Sequence, residues 1–509
     1  MRRAVLLLAL AGCDSSFFDH ATSDALPRGT CPDYVVDVRE LDAVPRPDCF
    51  PEVEIEARED GCWVDVRLAC VEVGPAVTLR ARVADGVVHP RDEACSVRGE
   101  WLRCEAFEVR IVEPEPLPYA QTGAFGWVEH DTYFQSTTQE PLVYPAITRR
   151  GYYQELLALD DGLITFRNET PNIIPVCPGV APTQIEDPED PSRSFVSEDC
   201  LFSGSVLDGR SFVASYGQVE TTFGIFERRD GAFAFDVVSS VELDPAADCG
   251  RNVPTSTSGF ALDRIVRSVR AYPELEQAVA VMHEIGRPIA AGDKVDWGSY
   301  VVLLGLGEDL DALSIADCRF FPPRGESVPR FADAALDARS VYILDDSTNE
   351  VARGARNLDQ AFEGVSLDIN GGLYRYLPEI AVERERAFVI DIRGTVATVL
   401  LSDPVAVRGA TPFGAAHGFQ PSTMLRVGDL YAVGLYAPVE GMETGAVGEA
   451  WIGWFDPERE VFLPGATPLS IPQAPGVPTG LIGRLVLRGD RLYALLSWTG
   501  AVVELAPAP

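Results

Sequence analysis

Between Val53 and Ile111 apolar and polar residues alternate with a period of two. In Cys62-Trp63-Val64-Asp65-Val66-Arg67-Leu68-Ala69-Cys70 the positions Cys62, Val64, Val66, Leu68 and Cys70 share one face, and Val77-Thr78-Leu79-Arg80-Ala81-Arg82-Val83 repeats the arrangement. Successive side chains of an extended strand point to opposite sides, so this pattern predicts half-buried strands. With Val53-Glu54-Ile55 and the stretch from Trp101 to Ile111, they predict a small antiparallel sandwich over residues 31–112. The proline-rich run Glu113-Pro114-Glu115-Pro116-Leu117-Pro118 reads as a stiff linker over 113–118.

From residue 119 to 509 the pattern changes to short apolar strands flanking tight turns. Seven hairpins stand out, centred on Leu159-Asp160-Asp161-Gly162-Leu163, Arg229-Asp230-Gly231-Ala232, Gly307-Glu308-Asp309, Leu344-Asp345-Asp346-Ser347, Ile392-Arg393-Gly394-Thr395, Phe455-Asp456-Pro457-Glu458 and Trp498-Thr499-Gly500. Asp, Gly and Pro supply the backbone angles that such turns require. Arg426-Val427-Gly428-Asp429-Leu430-Tyr431-Ala432 echoes Leu487-Arg488-Gly489-Asp490-Arg491-Leu492-Tyr493-Ala494. The region allots roughly 56 residues to each hairpin, close to a propeller blade with loop insertions. It resembles an irregular β-propeller of about seven blades, without the signature of WD or kelch repeats; a pair of β-sandwiches is the competing arrangement. The expected fold class is therefore all-β, with a disulfide-stapled sandwich of immunoglobulin-like size and style followed by the propeller. An unpaired last strand, Ala501 to Leu505, would leave an exposed edge. Closure against Gly126-Trp127-Val128 or Thr132-Tyr133-Phe134 is the expected remedy.

The N-terminus carries a second resemblance. Met1-Arg2-Arg3 is basic, Ala4 to Leu10 is apolar, and Leu10-Ala11-Gly12-Cys13 follows at once. This resembles a bacterial lipoprotein signal, which implies a leader over 1–12, a lipid on Cys13 and a flexible tether over 13–30. The stretch from Asp14 to Thr30 would reach about 23 Å as a flexible chain. The implied place is the bacterial cell envelope, at the outer membrane or cell surface, with the bilayer as one partner.

Ten cysteines remain once Cys13 is set aside, namely Cys31, Cys49, Cys62, Cys70, Cys95, Cys104, Cys177, Cys200, Cys249 and Cys318. An even number behind an export signal argues for disulfides in an oxidising compartment. A two-residue turn at Gly99-Glu100 would set Arg98 opposite Trp101 and thus Cys95 opposite Cys104, within bonding reach. Cys62 and Cys70 lie too far apart along one strand to bond each other, leaving Cys31 and Cys49 as partners in that region. Cys177 with Cys200, and Cys249 with Cys318, would close loops in the C-terminal region.

Composition narrows the function. The formal charge is −35, which disfavours nucleic acid as a partner. Lys294 is the sole lysine, so a phosphate-binding loop with its lysine has no place here. The arginine bias reads as a mark of a GC-rich genome. No G-x-S-x-G and no C-x-x-C occurs, and Met282-His283-Glu284-Ile285-Gly286 lacks the second histidine of a metalloprotease helix, having Arg287 there. Glu129-His130-Asp131 and Gly305-Leu306-Gly307 read as a surface histidine and a turn. Three acidic stretches, from Glu186 to Asp190, from Asp345 to Glu350 and from Asp368 to Gly372, offer oxygen ligands suited to calcium, but without EF-hand spacing. They read as solvated loops, and no catalytic, metal or cofactor residue is assigned.

These features favour a lipid-anchored binding or scaffold protein for an unknown protein or glycan. A propeller glycosidase or lyase with channel carboxylates is the alternative, and an envelope assembly factor the second. If Cys13 carries the anchor, Cys13→Ser is expected to move the protein from the membrane to the soluble fraction, because acyl chains supply the partition energy. An unchanged distribution on fractionation would refute the lipid assignment.

Overall fold

The computed structural model describes residues 31–126 and 152–508, apart from 32–34, 41–48, 59–60, 71–76, 85–86, 92–94, 99–100, 105–106, 113–115, 169–182, 191, 198–200, 217–220, 251–259, 289–294, 324–326, 368–378, 391–394, 403–404, 413–419, 439–447, 474–478 and 498. Two compact units divide the chain at Pro118 and Tyr119. Cys13, Cys177, Cys200, Lys294 and Glu129-His130-Asp131 fall outside the described residues.

In the first unit, β1 (Val35–Glu40) pairs with β8 (Phe107–Val112), then β7 (Trp101–Cys104), then β6 (Ser96–Arg98). The second sheet runs β2 (Cys49–Arg58), β3 (Gly61–Cys70), β4 (Val77–Ala84), β5 (Val87–Pro90). Val64, Val66, Leu79, Ala81 and Val83 of one sheet bury against Leu102, Val109 and Ile111 of the other, which makes the unit a sandwich. The second sheet is a simple meander, whereas in the first β1 lies beside β8, the last strand of the unit, so the chain crosses to the other sheet and returns. Alternation identifies strands and their inner faces, but it carries no information on which strands become neighbours.

Cys31 is bonded to Cys62, with Cα atoms 5.7 Å apart. β3 runs unbroken from Cys62 to Cys70, and its register sets Cys70 opposite Cys49. Arg98 pairs with Trp101 and Ser96 with Arg103, and Cys95 is disulfide-bonded.

The second unit holds seven four-stranded antiparallel sheets. Blade I is β10 (Tyr152–Leu159), β11 (Gly162–Asn168), β12 (Thr183–Glu186) and β13 (Ser194–Ser197). Blade II is β14 (Leu201–Val206), β15 (Ser211–Tyr216), β16 (Thr222–Arg228) and β17 (Phe235–Glu242). Blade III is β18 (Phe260–Tyr272), β19 (Gln277–Pro288), β20 (Val295–Leu306) and β21 (Leu313–Phe321). Blade IV is β22 (Phe331–Leu336), β23 (Ser340–Asp345), β24 (Glu350–Ala355) and β25 (Glu363–Ser366). Blade V is β26 (Ile380–Glu383), β27 (Arg386–Ile390), β28 (Thr395–Leu400) and β29 (Ala406–Pro412). Blade VI is β30 (Gln420–Val427), β31 (Leu430–Pro438), β32 (Gly448–Asp456) and β33 (Val461–Pro468). Blade VII takes β34 (Ile482–Arg488), β35 (Arg491–Leu496) and β36 (Val502–Pro507), and is completed by β9 (Tyr119–Phe125) from the start of the unit.

Each blade is apolar on both faces because it packs between two others. Val302 and Leu304 of β20 bury toward Val213 and Phe223 of blade II, while Val301 and Leu303 bury toward Val341 and Ile343 of blade IV. This explains why the central strands read as continuous apolar runs instead of alternating ones. Cys249, just after the short helix α1 (Pro245–Asp248), is bonded to Cys318 of β21 with Cα atoms 4.6 Å apart. That bond sits in the cluster between blades II and III.

The seven sequence hairpins fall one to a blade but at different connections. The turn at Asp160 joins the first and second strands of blade I, that at Asp230 the third and fourth of blade II, and that at Asp345 follows the second strand of blade IV. The connection around Arg393 lies outside the described residues, as does residue 498 alone of the last turn, in which Thr499 N and Gly500 N donate to Leu496 O at 3.2 and 2.8 Å. The echo at Arg426 and Leu487 does mark equivalent turns, between first and second strands of blades VI and VII.

The ring closes through β36 and β9, with Val502 opposite Phe125, Val503 opposite Ala124 and Pro507 opposite Tyr119. The partner is thus Tyr119–Phe125, slightly earlier than the segments after Gly126 that hydrophobicity suggested. Tyr119 stacks on Trp454 at 5.3 Å and Gln121 Nε2 donates to Ser470 O at 2.9 Å, tying this strand to blade VI as well. Removing Ala501–Pro509 is expected to unfold the whole ring, since it strips β9 of its partner and uncovers the buried strand β35. Limited proteolysis checks this, and a stable core from Tyr119 to about Arg330 would contradict it.

Candidate functional site

The seven innermost strands β10, β14, β18, β22, β26, β30 and β34 each carry a free backbone edge toward the axis. In six of them the register slips by a bulge at the same height: before Glu155, Gly204, Ser268, Asp333, Thr423 and Arg484. A bulge re-aims the side chain beside it, and here it gathers polar groups at one level. β26 has no bulge, and Glu379, immediately before it, supplies the corresponding group.

These residues form a closed circle of contacts. Glu155 Oε2 accepts from Ser203 Oγ and Gly204 N of blade II, each at 3.2 Å, and Ser203 Oγ accepts from Val269 N of blade III at 3.2 Å. Ser268 Oγ donates to Asp333 Oδ1 of blade IV at 2.6 Å. Asp333 Oδ2 takes Ile380 N of blade V at 2.9 Å and the Arg270 guanidinium, whose Nη1 also donates to Ile380 O at 2.7 Å. Glu379 Oε2 accepts from Met424 N of blade VI at 2.8 Å, and Thr423 Oγ1 lies 3.1 Å from Oε1. Arg484 of blade VII completes the circle: Nε donates to Glu155 Oε1 and Nη1 to Glu379 Oε1, both at 2.6 Å. The three carboxylates are buried, with exposures of 2 % for Glu155, 2 % for Asp333 and 4 % for Glu379.

Burial pushes the Glu379 carboxyl above the usual carboxylate range, although Arg484 and Arg270 pull the other way. Burial also opposes the charge on Arg484, but Glu155 and Glu379 outweigh it and raise its pKa. The arrangement differs from a hydrolytic pair, in which two carboxylates face each other across room for a substrate. Here one guanidinium lies between Glu155 and Glu379 and binds both.

The two ends of the ring differ. Because consecutive strands are antiparallel, the connections from one blade to the next and those between second and third strands leave the same end. All the long ones, 126–151, 169–182, 243–259, 367–379, 439–447 and 469–481, belong to that end. The opposite end has shorter connections, many of them tight turns, joined by arginines. Arg228 pairs with Asp161 between blades II and I, and Arg356 Nε donates to Gln277 Oε1 at 3.0 Å between IV and III. Arg353 Nη1 donates to Leu401 O at 2.5 Å, Arg386 pairs with Glu458 at 3.0 Å, and Arg426 with Glu383 at 3.0 Å. Arg488 reaches Glu189 at 3.4 Å and Asp160 O at 3.0 Å, across blades VII and I. The more exposed of these pairs, such as Arg488 with Glu189, contribute at most about 1 kcal/mol each, so their effect is mainly to fix geometry.

The acidic stretches read from the sequence serve their own turns. Asp187 Oδ1 accepts from Glu189 N at 2.9 Å and its Oδ2 meets Arg193 at 2.9 Å. Asp345 Oδ1 accepts from Ser347 N at 2.9 Å, and Asp346 lies between Arg330 at 3.4 Å and Arg267 at 3.9 Å. The stretch from Asp368 to Gly372 lies outside the described residues. Among the described residues no cluster of His, Cys, Asp and Glu is arranged to hold a metal ion. His283 is on strand β19, not on a helix, and is buried with Nδ1 3.3 Å from Ser299 Oγ. The sequence reading missed the channel residues Glu155, Asp333, Glu379 and Arg484. Their one sequence signal is an acidic, hydroxyl or arginine residue a few positions before the turn that opens each second strand.

No family model matches the sequence, and no curated protein matches it. Solved structures similar to the chain include a putative 6-phosphogluconolactonase from Bacteroides uniformis ATCC 8492, at 13% identity over 68% of this chain and 89% of that one, with a TM-score of 0.39. YCF48 bound to D1 peptide is similar at 9% identity over 75% and 98%, with a TM-score of 0.39. A prolyl endopeptidase is similar at 12% identity over 83% of this chain and 49% of that one, with a TM-score of 0.36. The protein is a seven-bladed β-propeller preceded by a disulfide-bonded β-sandwich, a class defined by its own strand order.

The raised carboxyls set the pH response. Burial raises Asp346 as it does Glu379. A carboxyl whose folded value lies above its unfolded one contributes stability that is complete below the ordinary range and is lost as pH rises through the raised value. Self-repulsion of a net charge of −35 acts in the same direction. The melting temperature is therefore expected to be higher at about pH 5 than at about pH 8. A melting curve that moves down on acidification over this interval would contradict it.

Proposed function

We propose that the protein is a lipid-anchored binding or scaffold module of the bacterial cell envelope, held by Cys13 and the tether over 13–30, which presents the long-connection end of its propeller to a protein or glycan. The observation that carries this reading is the division of labour within the ring. The channel carboxylates are spent on arginines and on backbone N–H groups, and the tight-turn end is spent on joining blades. The long connections are left for recognition, as loops on a rigid scaffold commonly are. Disulfides in both units suit an oxidising compartment, in keeping with an exported protein.

A short inert insertion in 289–294, at the long-connection end, is expected to abolish capture of native partners from envelope membranes by the anchored protein. The same insertion at Asp208-Gly209, at the tight-turn end, is expected to leave capture intact. The reverse outcome would overturn the assignment of ends. Turnover of an envelope polysaccharide that disappears in Glu379→Gln without loss of fold would favour the glycosidase or lyase reading.

A further inference from the structure

We propose that Arg484 is the keystone of ring closure: set between Glu155 of the first blade and Glu379 of the fifth, it makes the closed ring depend on the seventh blade. Glu155 lies on β10 and Glu379 immediately before β26, in sheets other than that of Arg484, and among the described residues Arg484 alone is bonded to both. The other channel arginine, Arg270, is engaged by Asp333 and Ile380 O. Six blades assembled without the seventh would therefore bury two carboxylates supported by hydroxyl and amide donors but by no cation of their own. Removing one member of a buried, bonded set of charges is strongly destabilising, because the remaining charge is left in a medium of low polarity.

Closure thus has two parts of different chemistry. The outer part, β36 on β9, is a ladder of backbone hydrogen bonds and is indifferent to side-chain charge. The inner part is ionic. Around Glu155 and Glu379 the charged and titratable groups are Arg484, Arg270 and Asp333, with Tyr272 near Arg270 and Asp333, and Tyr431 farther toward Glu383 and Arg426. With Arg484 replaced by an apolar residue of similar length, the Glu379 carboxyl, which burial already holds above the usual carboxylate range, loses the first of the cations that oppose that rise. The missing stability would then return as pH falls and protons replace the guanidinium.

The test uses the full-length, disulfide-intact protein with Arg484→Met and with the triple change Glu155→Gln, Glu379→Gln, Arg484→Met. Melting is followed at about pH 5 and about pH 8, with hydrogen exchange on β10, β34, β9 and β36. Arg484→Met is expected to speed exchange of β10 and β34 roughly a hundredfold at the higher pH. Most of that protection is expected to return at the lower pH and in the triple variant, beyond any pH change shown by the unsubstituted protein. If Arg484→Met melts and exchanges like the unsubstituted protein at the higher pH, or if neither acid nor the triple change restores it, Arg484 is a packing residue and the proposal fails. Should Arg484→Met not fold at the higher pH, the triple variant decides: native-like protection supports the keystone, and failure to fold overturns it.

Discussion

Seven sheets meeting around an axis leave seven strand edges whose N–H and C=O groups have no neighbouring strand to pair with, and the ring of charges there answers that constraint. A polar side chain from one blade takes a backbone N–H of the next: Glu155 takes Gly204 N, Ser203 takes Val269 N, Asp333 takes Ile380 N and Glu379 takes Met424 N. Buried backbone donors need partners, and strands that cannot pair with one another across the axis obtain them from side chains. The carboxylates used for this purpose then require cations. Arg270 and Arg484 supply them, and Arg484 at the same time joins the last blade to the first.

That solution bears on function through what it consumes. Among the described residues the channel acids Glu155, Asp333 and Glu379 are each bonded to a guanidinium and to hydroxyl or amide donors. Planar guanidinium groups also hold the tight-turn end, where they reach a carboxylate and a carbonyl together, as Arg488 and Arg386 do. A lysine ammonium is a point charge and lacks that fixed fork. The arginine bias, which composition alone assigns to the genome, is therefore put to structural use at the blade joints.

The disulfides act on a different scale. Cys31–Cys62 fastens the start of the sandwich to β3, and Cys249–Cys318 fastens the connection after blade II to the outer strand of blade III. Both cross-links limit the unfolded chain more than they shape the core, which in each unit is built from apolar side chains already packed on sheet faces.

Much of the fold was legible in local pattern. Alternation around Val64 and Val66 identified the sandwich strands, turn residues at Asp160, Asp230 and Asp456 marked hairpins, and the count of hairpins matched the count of blades. The need of a final strand for a partner pointed to closure near the start of the second unit, because an unpaired edge is costly wherever it occurs in sequence. What local pattern could not contain was neighbourhood. The pairing of β1 with β8 in the sandwich, the choice of Tyr119–Phe125 as the closing strand, and the meeting of Glu155, Asp333, Glu379 and Arg484 depend on contacts between residues far apart in sequence. Each of those four, taken alone, reads as an ordinary charged residue that belongs in water. Only the bulges beside Glu155, Asp333 and Arg484, the placement of Glu379 just before β26, and the geometry of seven packed sheets made them a buried network, since a charge is stable out of water only where its partners arrive with it.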